Sequence, residues 1–143
     1  MIYTALTRKA INVAFKAHEG QKDRAGIPYV THPLHLAESM DDEDSTVVAL
    51  LHDVIEDTDM TLEDLRNEGF TETQLEAVRL LTHEDNVPYM AYVRELGENP
   101  LARKVKLADL KHNMDRTRIE HPGEKDEDRY AKYQTAYDYL MSI

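Results

Sequence analysis

The sequence predicts an all-α protein, a compact helical bundle formed as one domain over residues 1–143. Three observations carry that expectation. No stretch shows the strict apolar–polar alternation of a half-buried strand. Helix-capping residues recur at short intervals along the chain. With no tryptophan and two phenylalanines, the core must be mainly Leu, Val, Ile, Ala, Met and Tyr, a composition that favours helices over a β-sandwich.

The first helix is expected from about Thr4 to His18, with Ala5, Ile11, Val13, Ala14 and Ala17 supplying its apolar stripe. It stops at Glu19-Gly20-Gln21. Lys22 to Tyr29 reads as an exposed loop, with Gly26 and Pro28 as breakers. Thr31-His32-Pro33 opens a second helix, because proline is tolerated in a first turn where its missing N–H is not needed. Leu34, Leu36 and Ala37 follow on it. An acidic turn, Asp41 to Asp44, leads to the most apolar helix, Ser45 to about Ile55. There Val47, Val48, Ala49, Leu50, Leu51, Val54 and Ile55 surround His52 and Asp53, and a helix apolar on nearly every side is central in its domain.

Thr61 caps a short helix with Glu63 and Asp64 in its first turn. Thr71-Glu72-Thr73-Gln74 is a capping box ahead of Leu75, Val78, Leu80 and Leu81. Pro88 to Leu96 forms another short helix, and Asn99-Pro100 opens a long one to about Asp115. Lys125 to Ile143 is the last. Its Tyr130, Tyr133, Tyr137, Tyr139 and Leu140 have a spacing suited to packing, in the core or at an interface, and no oligomeric state follows from them.

The formal charge of −11 argues against a general nucleic-acid binder, since the overall field repels a phosphate backbone. It leaves room for a small phosphorylated substrate, which needs only a local cation, and a bound metal is the strongest one available. No stretch approaches the roughly 18 apolar residues of a membrane span. Residues 1–10, MIYTALTRKA, do not read as a signal peptide, so a cytoplasmic protein is expected. There are no cysteines; disulfides and thiolate metal sites are excluded, and any transition metal must sit on histidine and carboxylate ligands.

His52-Asp53 is the centre of the chemical reading. Both would be costly to bury in an apolar helix without partners. A divalent metal accepts both, if it sits at the helix edge and draws further ligands from other segments. His32 and Asp109 are suitable types. Singly, each has a plainer explanation: a buried histidine is more often a hydrogen-bonded core residue, and His18, His35, His83, His112 and His121 are read that way or as exposed. Asp109, near Lys106 and Lys111, could be a surface charge. The combination changes the balance.

A His, a His-Asp about twenty residues on and a distant Asp resemble the ligand pattern of the HD superfamily of metal-dependent phosphohydrolases. Four stretches are more specific: Ala17-His18-Glu19-Gly20-Gln21, Gly26-Ile27-Pro28-Tyr29-Val30-Thr31-His32-Pro33, Leu51-His52-Asp53-Val54-Ile55-Glu56-Asp57-Thr58 and Lys106-Leu107-Ala108-Asp109-Leu110-Lys111-His112-Asn113-Met114. They are similar to the hydrolase domain of RelA/SpoT-type alarmone enzymes and to the small alarmone hydrolases. The resemblance covers about residues 4 to 118 and implies an HD-type helical fold. It also implies a metal ion, usually manganese, on His32, His52, Asp53 and Asp109; nitrogen and oxygen ligands accept several divalent metals, so another divalent ion stays open.

By the same resemblance Glu56 and Asp57 are the catalytic acids, and Asn113 contacts the nucleotide. Positions three and four past Asp53 share its helical face, and acids at a helix C-terminus oppose the helix dipole, so their presence asks for another cause. Among the cations Lys22, Arg24, Lys104, Lys106, Arg116 and Arg118, the two inside matched motifs, Arg24 and Lys106, are the candidates for holding phosphates. The activity implied is removal of the 3′-pyrophosphate from guanosine tetra- or pentaphosphate, leaving GDP or GTP. Two departures stand out. Asp23 occupies the place of an arginine that packs on guanine, and Arg116 that of a threonine. They keep two alternatives open: an HD phosphohydrolase for another nucleotide or phosphorylated metabolite, and a metal-containing binding module without turnover.

Overall fold

The computed structural model describes every residue from Met1 to Ile143. Nine α-helices follow one another without a strand: α1 (Ala5–Ala17), α2 (Thr31–Glu38), α3 (Glu43–Leu51), α4 (Val54–Asp57), α5 (Leu62–Asn67), α6 (Glu72–Leu81), α7 (Tyr89–Gly97), α8 (Pro100–Asn113) and α9 (Glu124–Ser142). A 3₁₀ turn, Arg116–Arg118, joins the last two. The all-α expectation holds, and no helix is long and apolar enough to cross a membrane.

Local chemistry sets most boundaries. Thr4, Thr61 and Thr71 close capping boxes on α1, α5 and α6, and Asn99 accepts the Ala102 N–H at 3.0 Å ahead of Pro100 on α8. The acidic turn is shorter than expected. Asp42 caps α3 by accepting the Ser45 N–H at 2.7 Å, so Glu43 and Asp44 become its first turn, where carboxylates suit the helix dipole.

α3 is the hub, as its apolar circumference requires. Every residue from Ser45 to Leu51 is buried, and α1, α2, α6 and α8 all pack against it. Its two polar residues are satisfied locally, Ser45 by the Asp42 carboxylate and Thr46 by the Asp42 carbonyl, each at 2.7 Å. A core of 25 buried residues runs from Ala10 to Leu140, so the first and last helices share it. α9 packs on α8 and α7, and there Gly97 matters: a Cβ would meet Leu140 Cδ2 and Ile143 Cδ1 at 3.0 Å.

One expectation is corrected. The helix foreseen from Ser45 to Ile55 ends at Leu51 and resumes at Val54. In an unbroken helix the Ala49 carbonyl would receive the Asp53 N–H. Here the His52 imidazole takes it, Nδ1 lying 2.7 Å from that oxygen, and Asp53 relaxes to φ −106°, ψ 1°. The polar doublet thus sits in a turn at the end of the central helix.

Candidate active site

Three segments deliver the sequence-selected donors to one place. His32 comes from the first turn of α2, His52 and Asp53 from the break after α3, and Asp109 from the inward face of α8, where Val105, Lys106, Asp109 and Leu110 are buried. His32, His52 and Asp109 each present one ligand atom such that all lie within 4.8 Å of one another. His32 Nε2 is 2.8 Å from Asp109 Oδ1, and His52 Nε2 is 3.6 Å from the same oxygen. Asp53 stands beside this trio, its Oδ2 3.0 Å from His52 Nε2 and accepting the Tyr29 hydroxyl hydrogen.

Such a cluster can hold a divalent cation, and His52 supplies the test. A carbonyl only accepts, so its bond to Ala49 puts the imidazole hydrogen on Nδ1 and leaves Nε2 with a lone pair. That Nε2 is sealed from water, and neither nearby carboxylate meets it in hydrogen-bonding geometry. A buried lone pair without a donor, beside two carboxylates and a second imidazole, suits a borderline-hard cation on nitrogen and oxygen ligands. With no cation, a proton does part of the work. Burial by itself lowers the His52 pKa, yet the charges of Asp53 and Asp109 hold it well above the ordinary histidine range. Burial likewise raises that of Asp109, but Lys106 and the two histidines hold it well below the usual carboxylate range.

Asp53 and Asp109 of the cluster line a cleft of about 480 Å³, while His32 and His52 are buried outside its lining. Glu56 and Asp57 line it from α4. Glu56 Oε1 accepts the His83 N–H at 2.7 Å, which ties α4 to the segment after α6. Both acids open to cleft water yet lie over a dense part of the molecule. Desolvation, reinforced by the Asp53 charge, raises Asp57 to about 6, and desolvation also raises Glu56. Lys106 is in the wall, 2.8 Å from Asp109 Oδ2. Asn113 donates from Nδ2 to Asp109 Oδ1 at 3.1 Å, and Arg24 pairs with Asp126 at 2.6 Å.

The other cations divide. Lys22 and Arg118 line the cleft, whereas Lys104 is outside its lining and pairs with Asp41 and Asp42 at the surface. Arg116 also lies outside the cleft, paired with Glu127 and 4.7 Å from the Tyr130 ring. Asp23 holds its own loop together. Its Oδ1 accepts the N–H groups of Ala25 and Ile27 at 2.9 and 3.0 Å, closing the turn before α2, and its Oδ2 is 3.5 Å from Arg118.

Sequence reasoning missed three contributors. Tyr29 bonds Asp53 from the loop before α2; its place two residues ahead of Thr31-His32-Pro33 was the available signal. His112, read as core or exposed, has its Nδ1 2.7 Å from His32 Nδ1. α9 adds a whole wall, including Arg129, Lys132 and Tyr133, which its tyrosine-rich pattern disguised as packing.

Comparison with known proteins agrees with this arrangement. The family model described as HD domain matches residues 10–120. A guanosine-3′,5′-bis(diphosphate) 3′-pyrophosphohydrolase MESH1 of Danio rerio is 35% identical over 124 residues, spanning 78% of this chain and 68% of that one. The bifunctional (p)ppGpp synthase/hydrolase SpoT of Escherichia coli K12 is 37% identical over 124 residues, and a probable GTP pyrophosphokinase of Mycobacterium leprae 36% identical over 133. This chain aligns to only 17% of the length of each of those two long proteins. A solved structure of a metazoan SpoT orthologue, described as hydrolysing ppGpp, superposes with a TM-score of 0.77 at 27% identity, covering 98% of this chain and 88% of that one. With 111 consecutive residues matched and every candidate ligand inside them, the chain belongs to the HD domain family.

Proposed function

We propose that this chain is a metal-dependent phosphohydrolase that removes the 3′-pyrophosphate from guanosine tetra- or pentaphosphate, leaving GDP or GTP. The observation that carries the reading is the meeting of buried His32, His52 and Asp109 from three segments, with Asp109 lining a cleft that Glu56 and Asp57 also line. The likeness to MESH1 and SpoT supports the substrate.

In this reading His32, His52, Asp53 and Asp109 hold the ion, with manganese the metal we favour. A bound divalent cation supplies Lewis acidity toward a phosphoryl oxygen and toward the attacking water. The remaining work falls to the chain's own groups. Asp57, with a pKa of about 6, accepts a proton from that water near neutral pH, and Glu56, fixed by the His83 N–H, orients it. The water oxygen bonds to the phosphorus nearer the ribose, the bond to the 3′ oxygen breaks, and the proton passes to that oxygen. Arg24 and Asn113 orient the nucleotide, while Lys106, held by Asp109, presents its charge to the phosphates. The reading includes a cytoplasmic location and one folded unit over residues 1–143, which the shared core supports.

One observation favours a second reading, hydrolysis of a different phosphorylated nucleotide. By the motif resemblance Asp23 takes the place of an arginine that packs on guanine, and here its carboxylate is committed to the loop and to Arg118. A substrate panel with purified protein and Mn²⁺ separates the two. Pyrophosphate released from guanosine tetraphosphate, with nucleoside mono-, di- and triphosphates untouched, is the expected result. Phosphate released from a monophosphate instead supports the second reading, and no turnover of any member removes both.

A further inference from the structure

His52 and His32 face the same cluster, but their far nitrogens are held differently. Behind His52 stands the Ala49 carbonyl, which can only accept. Behind His32 stands another imidazole: His32 Nδ1 and His112 Nδ1 are 2.7 Å apart, with the rings within 7° of parallel. His35 stacks on His112 with centroids 4.0 Å apart, and Arg118 Nη1 donates to the His112 carbonyl at 3.1 Å, fixing the end of α8. His112 follows Asp109 by one turn, so one helix presents a carboxylate to His32 Nε2 and an imidazole to His32 Nδ1.

Two ring nitrogens at that distance share a single hydrogen. If His112 carries it, neutral His32 bears its own hydrogen on Nε2, aimed at Asp109 Oδ1 2.8 Å away, and has no lone pair there for a cation. If His32 carries it on Nδ1, Nε2 is bare and faces the cluster. The partner behind an imidazole decides which tautomer is held.

We propose that His112 is a positioning residue for His32: its Nδ1 accepts the His32 Nδ1–H and so holds His32 in the tautomer whose Nε2 can ligate. The inference rests on the metal reading above. It also gives the stack a role, because His35 packs on the accepting ring and Arg118 fixes the helix end that carries it.

The test compares Mn²⁺ binding, by competition with a chromogenic chelator, in the wild-type chain, His112→Phe and His112→Asn. Phenylalanine keeps a flat ring without an acceptor, whereas asparagine offers Oδ1 close to where Nδ1 stood. His112→Phe is expected to bind about 10- to 100-fold more weakly and His112→Asn to stay within about threefold of wild type, the range expected for partners of ligating histidines. A spectroscopic arm needs no variant. In the Zn²⁺-loaded wild type, long-range ¹H–¹⁵N correlations should show the hydrogen on His32 Nδ1 and a bare Nδ1 on His112. Equal Mn²⁺ binding by wild type and His112→Phe, or a hydrogen on His112 Nδ1, overturns the inference alone. A wild type that binds neither ion overturns the metal reading and this inference with it.

Discussion

Lys106 Nζ lies 2.8 Å from Asp109 Oδ2, one turn earlier on α8, and both side chains are almost sealed from water. Removing one partner of a buried pair leaves the other charge uncompensated. Lys106→Met is therefore expected to destabilise the metal-free chain by about 3–5 kcal/mol. Saturating Mn²⁺ should recover part of that loss by neutralising Asp109 in another way. Thermal melts with EDTA and with Mn²⁺ check both statements, and a melting temperature unchanged by the substitution would contradict the first.

The two groups of site residues separate experimentally. His52→Ala removes a buried donor and should abolish stoichiometric Mn²⁺ binding. Glu56→Gln leaves the donors alone but removes the carboxylate charge that, in the proposed mechanism, orients the attacking water. It should keep the metal while kcat falls by about 10²-fold, the usual cost of misplacing a reacting group. Metal content by elemental analysis beside turnover of the tetraphosphate tells them apart. Normal kcat in Glu56→Gln would show that its role is misassigned.

Asp57 predicts a pH dependence. Its carboxyl, raised to about 6 in the folded chain, keeps a proton that the unfolded chain releases near its ordinary value of about 3.9. Between those values the native state binds more protons, so this group's contribution to metal-free stability falls as pH rises from about 4 through about 6. Water in the cleft screens the carboxylate and limits the size of the effect. Asp57→Asn removes this contribution. Urea unfolding in EDTA should show the variant gaining on wild type more at about pH 7.5 than at about pH 4.5, and the reverse ordering would refute the assignment.

Leu50 is fully buried in α3, next to the turn that carries the doublet. Leu50→Ala is expected to cost about 2–5 kcal/mol through lost burial and the cavity left behind. Urea midpoints measure it, and a loss below about 1 kcal/mol would mean that α3 is not the packed centre described above.

Helix ends were legible in the sequence because capping is local. Thr4, Thr71 and Asn99 act within three residues of themselves, and each begins a helix as expected. The break at His52 and Asp53 was hidden, since it depends on a side chain competing for a backbone carbonyl while the apolar pattern runs on to Ile55. His32, His52 and Asp109 were legible as a set through linked motifs. The residues behind them were not: Tyr29 reaches Asp53 across 24 positions and His112 reaches His32 across 80, and neither pairing leaves a periodic trace. Arg116, suspected as a change in the site, pairs with Glu127 and lies over the Tyr130 ring without itself lining the cleft.

Asp126, Arg129, Tyr130, Lys132 and Tyr133 all reach the cleft from α9, beyond residue 120, where the HD domain match stops. The donors and the acidic pair lie wholly inside it. One wall of the cleft therefore comes from a helix that carries none of the candidate ligands. Exchanging the cleft-lining Arg129 and Lys132 would alter that wall while the buried Ala136 and Leu140 keep the helix seated in the core.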